Sequence, residues 1–378
     1  MNKKLGIYVH IPFCRAKCSY CDFYSVTGSD NLFGAYSEAL KTHIREAAEQ
    51  LAECDVDTIY FGGGTPTHFG AKRLCAVLNE IAKRFYITEK AEITFEANPE
   101  SLDGEDALRL RRAGFNRVSI GVQSNDNLTL RQLGRPHTWE RAKRAVRACR
   151  DAGFQNLSID LMYGLPGQTL KKWEASIADG IALEPEHISC YGLKLEEGTP
   201  LFERRAELEL PDDDCQADMY AAAVERLDEE GYAQYEISNF ARKGFASRHN
   251  MKYWTLGEYL GFGASAHSDL NGRRFACVKD VRQYIERIRS GEKVMTDLEF
   301  LPPQARAGEY IMLGLRTVRG ISSAEFTSRY GEGFEKLRPY IRKLVSAGFA
   351  REVGERVRLT TKGFLVSNVI IGNLLDYL

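Results

Sequence analysis

The chain has 378 residues, enough for two or three domains or for one large barrel with an appendage. Its 51 Lys+Arg against 52 Asp+Glu leave a net charge of −1, which argues against a dedicated binder of nucleic acid or of anionic membranes. Hydrophobic residues at 44% and charged residues at 27% exclude disorder and coiled coil, and nine cysteines are too few for a disulfide scaffold.

The basic start Met1-Asn2-Lys3-Lys4 and the apolar stretch Leu5 to Phe13 have the outline of a signal peptide. His10 and Pro12 interrupt that stretch and no small-residue cleavage site follows, so a buried strand is expected instead. No apolar run approaches the ~18 residues of a bilayer span. No transmembrane segment is therefore expected, and the cytoplasm, where thiols stay reduced, is the expected location.

Six strand-plus-helix units follow in order. Strands are expected at Leu5–Ile11, Asp57–Phe61, Ala91–Ala97, Arg117–Val122, Leu157–Met162 and His187–Tyr191. Helices are expected between them at Leu32–Leu51, Lys72–Phe85, Glu105–Ala113, in short segments ending near Ala152, and at Lys171–Ala182. Alternation of this kind means parallel βαβ units, and six are too few to close an eightfold barrel. An open partial barrel or a doubly wound sheet remains, and in both the ligand sits beyond the C-terminal strand ends. Those ends are rich in polar residues and glycine: the Cys14 loop, Gly62-Gly63-Gly64-Thr65, Glu96-Ala97-Asn98, Gly121-Val122-Gln123, Asp160 and Tyr191-Gly192.

The pattern changes near residue 200. Asp212–Glu230 reads as a helix, and Tyr235–Asp269 is rich in Gly, aromatic residues and His. Helices at Arg306–Arg316, Ser323–Tyr330 and Phe334–Ala347 then precede a hairpin at Phe349–Leu359, the order of a winged-helix-like module. Such modules often bind DNA, but the balanced charge favours a packing or covering role, with no nucleic acid as partner.

Cys14, Cys18 and Cys21 form C-x3-C-x2-C directly after the first strand. Structural zinc takes four ligands, and the nearest fourth candidates are His10 and Asp22. Three thiolates suit an iron–sulfur cluster with one open iron, whereas electron-carrier clusters take four protein ligands. The spacing resembles the signature of the radical S-adenosylmethionine (SAM) superfamily. That resemblance implies a 4Fe-4S cluster held by three cysteines. Its fourth iron binds SAM, and a 5′-deoxyadenosyl radical forms after electron transfer. It further implies a reductant such as a flavodoxin or ferredoxin as partner. The other cysteines, Cys54, Cys75, Cys149, Cys190, Cys215 and Cys277, are expected to be packing residues.

The segments from Ile7 to Cys14, from Phe61 to Thr67, from Gly121 to Ser124 and from Ile159 to Thr169 are similar to the oxygen-independent coproporphyrinogen III oxidase family of radical SAM proteins. Carried over residue by residue, Tyr8, Tyr20, Gly63, Gly64, Thr65, Glu96, Gln123, Arg135 and Asp160 match SAM-contacting positions, some of which serve a second SAM in the true oxidases. Two departures oppose the oxidase activity. The oxidases carry a further cysteine where Phe23 stands, and they have a longer segment before the first strand. His249-Asn250-Met251-Lys252-Tyr253-Trp254 spells H-N-x-x-Y-W and looks like the signature of the heme chaperone branch. A neutral imidazole can ligate iron, and Tyr253 and Trp254 can stack on a porphyrin. His249 is thus the first candidate toward heme; His267 is a lesser one, read first as structural.

The expected fold is α/β: a radical SAM partial (β/α)6 TIM-like barrel over residues 1–205, a barrel extension with the heme motif over 206–300, and an α+β winged-helix-like module over 301–378. The expected function is a heme chaperone that binds a 4Fe-4S cluster, SAM and heme and hands heme to an acceptor protein. SAM cleavage stays open. The rivals are an oxygen-independent coproporphyrinogen III oxidase, forming vinyl groups from propionates, and a winged-helix regulator with a redox-sensing cluster.

Overall fold

The computed structural model describes residues 3–49, 51 and 54–378. Met1 and Asn2 of the basic start, and Gln50 of the first expected helix, lie outside them.

The six expected strands are β1 (Lys3–Ile11), β2 (Cys54–Gly63), β3 (Tyr86–Ala97), β4 (Arg117–Gln123), β5 (Leu157–Tyr163) and β6 (His187–Gly192). They are parallel neighbours in chain order, 1-2-3-4-5-6. A doubly wound sheet reverses its strand order at a switch point. Here the order never reverses across the six strands, which decides for the open partial barrel. Right-handed crossovers then lay every helix on the same face.

Period two sorts the side chains of each strand. In β4, Val118, Ile120 and Val122 join the core under the helices. Ser119, Gly121 and Gln123 alternate with them and turn to the inside. The covering helices show the matching 3.6 period. In the helix Ala71–Arg84, Leu74, Val77, Leu78 and Ile81 form one buried stripe. Side-chain caps fix their starts: Asp103 accepts from Asp106 N at 2.9 Å, and Thr138 accepts from Arg141 N at 3.3 Å.

β3 begins five residues before the expected Ala91, because Tyr86 and Ile87 pair with Asp55 and Val56 of the equally lengthened β2. The charges of Glu89 and Lys90 are tolerated there since both are exposed. The first helix ends at Ala48.

The segment after residue 206 extends the sheet at both edges. The hairpin β7 (Ala233–Glu236) and β8 (Asn239–Ala241) adds antiparallel to β6. On the other edge, β9 (Tyr259–Phe262) runs parallel to β1, and β10 (His267–Leu270), β11 (Arg273–Cys277) and β12 (Met295–Phe300) follow it antiparallel. The H-N-x-x-Y-W segment is a short helix, Arg248–Trp254, fastened to the barrel: Glu92 accepts from both Arg248 N and His249 N at 3.0 Å.

The C-terminal module has its own core, with Ile311, Phe326, Leu337, Ile341 and Val357 at its centre. Its helices are Pro303–Gly314, Ser323–Tyr330 and Phe334–Ser346. The expected hairpin is β14 (Ala350–Val353) and β15 (Arg356–Leu359), and a short strand β13 (Ile321–Ser322) pairs with β15. Two helices not expected from the sequence, Thr361–Leu365 and Ser367–Leu375, close it. Ile370, Ile371 and Leu374 of the second are buried in that core. Arg306 joins the module to the sheet through paired 2.5 Å contacts with both carboxylate oxygens of Asp269.

Candidate radical SAM site

A cavity of about 620 Å³ opens at the C-terminal strand ends. Cys14, Cys18 and Cys21 line it from the loop after β1, together with Tyr20. Tyr8, Gly63, Gly64, Glu96, Gln123 and Asp160 reach it from β1 to β5 and their ends, and Arg135 from the connection after β4. Eleven of the thirteen expected site residues therefore share one wall. The two others stand apart. Thr65 is buried just behind the cysteines, its hydroxyl 3.5 Å from Cys14 Sγ. His249 is buried below the cavity, and Asn250 and Tyr253 of its helix reach the wall in its place.

The glycines have an immediate structural task. A Cβ on Gly64 would lie 2.8 Å from Phe13 O and 3.0 Å from Ile11 O. Its absence lets Gly64 N donate to Ile11 O at 2.9 Å and Thr65 N to Phe13 O at 2.8 Å, which clamps the start of the cysteine loop. At Gly121 a Cβ would come to 3.0 Å from Arg135 Nη2 and Asn98 Oδ1, so glycine leaves room for the guanidinium where a side chain would crowd it. Gln123 ends β4 with φ of 66°, a left-handed conformation uncommon for a side-chain-bearing residue and concentrated at functional sites.

Arg135 is the hub of the polar wall. Nη1 donates to Cys18 Sγ at 3.2 Å, and Nη2 donates to Asn98 Oδ1 and Gly121 O at 2.7 Å each. Its buried Nε has no protein partner. Asn98 in turn donates to Thr65 Oγ1 at 3.0 Å. Asn98 was not among the expected site residues; its position two after Glu96, on the same face of an extended segment, was the available signal. Tyr60 was missed as well, and its hydroxyl donates to Glu96 Oε1 at 2.8 Å.

Burial, foremost, pushes the Glu96 carboxyl up to about 7, against the lowering effect of the Tyr60 hydrogen bond. Burial also raises Asp160, which Ser119 Oγ contacts at 3.3 Å. Two neighbouring acids with raised pKa favour a cationic ligand group, such as an amine, at this wall. Burial raises the Cys14 and Cys21 thiols too, so loading a metal there releases protons.

Among the described residues, no three His, Cys, Asp or Glu side chains converge on the position of a single metal ion. A cluster whose cysteines each hold a different iron asks for thiols along one wall, and the free thiols Cys14, Cys18 and Cys21 are placed so. The donor set, the orphaned Arg135 Nε and the buried acids fit a cluster with a zwitterionic amino-acid ligand beside it.

Residues 8–179 match the model of the radical SAM superfamily, and residues 301–366 match that of the HemN C-terminal domain. The chain is 36% identical to the heme chaperone HemW of Bacillus subtilis, over 98% of this chain and 99% of that one. It is 32% identical to the heme chaperone HemW of Escherichia coli, over 97% of both. The chain belongs to the HemW branch of the HemN-like radical SAM family. In fold, it superposes on coproporphyrinogen III oxidase (HemN) of Escherichia coli with a TM-score of 0.87 at 22% identity, covering 100% of this chain and 91% of that one. The family thus carries a partial barrel and a C-terminal module, the architecture described above.

His249 lies behind the cavity wall. Its imidazole is fully buried, with Nδ1 2.9 Å from Thr58 Oγ1 and Nε2 2.8 Å from the Tyr253 hydroxyl. Burial, then the nearby Lys252 charge, lowers it to about 3, so it is neutral with both nitrogens engaged. In this arrangement the H-N-x-x-Y-W histidine braces its helix against β2 and presents Tyr253 to the cavity.

Proposed function

We propose that this chain is a heme chaperone that holds a 4Fe-4S cluster through Cys14, Cys18 and Cys21, binds SAM beside it, carries heme, and passes heme to an acceptor protein. The observation that carries the reading is the shared wall. Three free thiols face one cavity with Glu96, Gln123, Arg135 and Asp160, in a chain whose full-length relatives are named heme chaperones.

When bound, the cluster and SAM supply one-electron chemistry at the sulfonium. The residues of the chain do the rest. Glu96 and Asp160 receive an amino group or ribose hydroxyls, Arg135 draws a carboxylate to the Cys18 side, and Gly63 and Gly64 keep the approach open. A reductant of the flavodoxin or ferredoxin type would supply the electron. Among the described residues no helix is long and apolar enough to cross a membrane. The cytoplasm is the proposed location, and the three-part division at residues 205 and 300 is the proposed domain plan.

Coproporphyrinogen oxidation is the second reading, supported by the fold alone. Against it stands Phe23, 67% exposed at the rim where a further thiol is expected of an oxidase. Two assays on anaerobically reconstituted protein separate them. Titration with ferric heme should give saturable binding with a shifted Soret band. Incubation with reductant, SAM and coproporphyrinogen III should give no vinyl product. Turnover in the second would reverse the ranking, and absence of heme binding in the first would end the chaperone reading.

A further inference from the structure

Among the described residues, six of the seven histidines have polar partners. His10 contacts the Tyr8 hydroxyl and Tyr24 O, His43 the Tyr284 hydroxyl, and His68 Asp30. His137 contacts Val122 O, His187 contacts Ser158 and Tyr235, and His249 contacts Thr58 and Tyr253. His267 alone is exposed, and its imidazole makes no hydrogen bond or ion pair. Coordination needs an imidazole nitrogen with a free lone pair, and this residue offers one.

His267 also stands in a cavity. A second hollow of about 360 Å³ is lined by His267, Ser265, Tyr24, Tyr259 and His10, whose two nitrogens are already engaged, and it shares Tyr8, Phe23, Gly63, Glu96 and Tyr253 with the cavity of the cysteines. Its volume falls within the ~300–1,000 Å³ of small-molecule sites. The walls are aromatic, and Phe23 at its rim is 67% exposed, a large apolar surface for a protein to leave uncovered. Lys279 lies over the Tyr24 ring at 5.6 Å and is exposed, a cation at the same edge.

The turn that carries His267 is held rigidly. Gly263 takes φ of 106° and Ser265 φ of 62°. The Tyr36 hydroxyl donates to His10 O at 2.9 Å and accepts from Ala264 N at 2.9 Å, tying the turn to β1. Ser265 N donates to Val278 O at 3.0 Å, and Cys277 N to Ala266 O at 2.8 Å, tying it to the strand beyond. His267 follows this turn as the first residue of β10, and a polar side chain on a backbone fastened at both sides is preorganised for a ligand.

We propose that His267 is the axial ligand of heme in this chain, with the porphyrin lying against Phe23, Tyr24 and Tyr259 and a propionate reaching Lys279. The proposal rests on the heme-chaperone reading and assigns its cargo site. The bond is dative: an imidazole lone pair enters the iron, a water leaves, and no electron is transferred. One imidazole suffices because the porphyrin supplies the other four nitrogens. The site adjoins the cysteine cavity through shared walls, so cargo and cluster occupy neighbouring halves of one opening.

The test is titration of the full-length, cluster-reconstituted protein with ferric heme, followed by Soret absorbance and electron paramagnetic resonance. Four proteins are compared: wild type, His267→Ala, His249→Ala and Lys279→Ala. We expect His267→Ala to weaken heme binding at least tenfold and to lose the histidine-ligated spectrum, with added imidazole restoring that spectrum. The same variant should still bind metal-free protoporphyrin as wild type does, which separates a lost ligand from a collapsed pocket. His249→Ala should keep the ligand signature, and Lys279→Ala should weaken binding a few-fold with the spectrum unchanged. An unaltered spectrum and affinity in His267→Ala would overturn this assignment while leaving the chaperone reading in place. Absence of heme binding by the wild type would overturn both.

Discussion

Arg135 and Cys18 are 117 residues apart in the chain, and the guanidinium Nη1 lies 3.2 Å from the thiol sulfur. The same buried side chain donates to Asn98 and to Gly121 O, so it links the cysteine loop to the ends of β3 and β4. Arg135→Met should keep the fold but lower retention of iron and sulfide on reconstitution by about 10–100-fold, the usual effect of removing an outer partner of a metal ligand. Iron and sulfide analysis after gel filtration measures it, and an unchanged content would remove Arg135 from the site.

Replacing Cys14, Cys18 or Cys21 singly by Ala should abolish the broad visible absorbance of the reconstituted cluster. Cys149→Ala should leave that absorbance intact and cost about 1 kcal/mol of stability, since Cys149 is a buried packing residue. Parallel absorbance and denaturation measurements on the four variants decide the division, and an intact band in any of the first three would break the ligand assignment.

Burial pushes both Glu96 and Glu236 up to about 7. Their folded-state pKa values exceed those of the unfolded chain, so between about pH 4.5 and 7 the native state holds more protons. Stability should therefore fall as pH rises through this window and level off above it. Each group contributes on the order of 2–3 kcal/mol to that fall. Urea unfolding at pH 5.5 and pH 8 should show the loss, and Glu236→Gln should reduce it. Equal slopes in wild type and Glu236→Gln would contradict the assignment.

His249→Ala removes the partner of both Thr58 and Tyr253. The buried Thr58 hydroxyl left unpaired costs about 1–3 kcal/mol, so the variant should be measurably less stable. Thermal or urea unfolding tests this, and a change below about 0.5 kcal/mol would show that the hydrogen bonds carry little.

Asp269 receives Arg306 through both oxygens and lies 3.3 Å from Arg274, which pairs with Glu309 at 2.6 Å. Asp269→Ala leaves two guanidinium groups short of charge at the contact between the C-terminal module and the sheet. The site is more enclosed than a surface pair and less than a core pair, so about 2 kcal/mol is expected. Faster proteolytic release of the C-terminal module should accompany the loss, and protection equal to wild type would show that the apolar contacts suffice.

The order of strands and helices and the cysteine motif were legible along the chain because both are local: each strand carries its own apolar run, and three cysteines lie within eight residues. The rim residues Glu96, Gln123 and Asp160 were legible for the same reason, the first two near the ends of their strands and Asp160 a polar residue within an apolar one. The closing helix Ser367–Leu375 was not, because its apolar residues run together and hide the helical period. Asn98 and Tyr60 were not, because their roles depend on Arg135 and Glu96, which only folding brings near.

The two histidines show where local reading stops. A motif can name His249 but cannot tell whether its nitrogens face a ligand or a neighbour; Thr58, 191 residues away in sequence, occupies one of them. His267, read from the sequence first as structural, is among the described residues the one imidazole left without a polar partner. By itself the sequence determined the barrel units, the three thiols and the strand-end rim, since periodicity and short spacing encode them. Only the tertiary structure decided the singly wound strand order, the Arg135 hub and the burial of the His249 imidazole between Thr58 and Tyr253. Burial and hydrogen bonding are properties of what the chain packs against, and that is settled when distant segments meet.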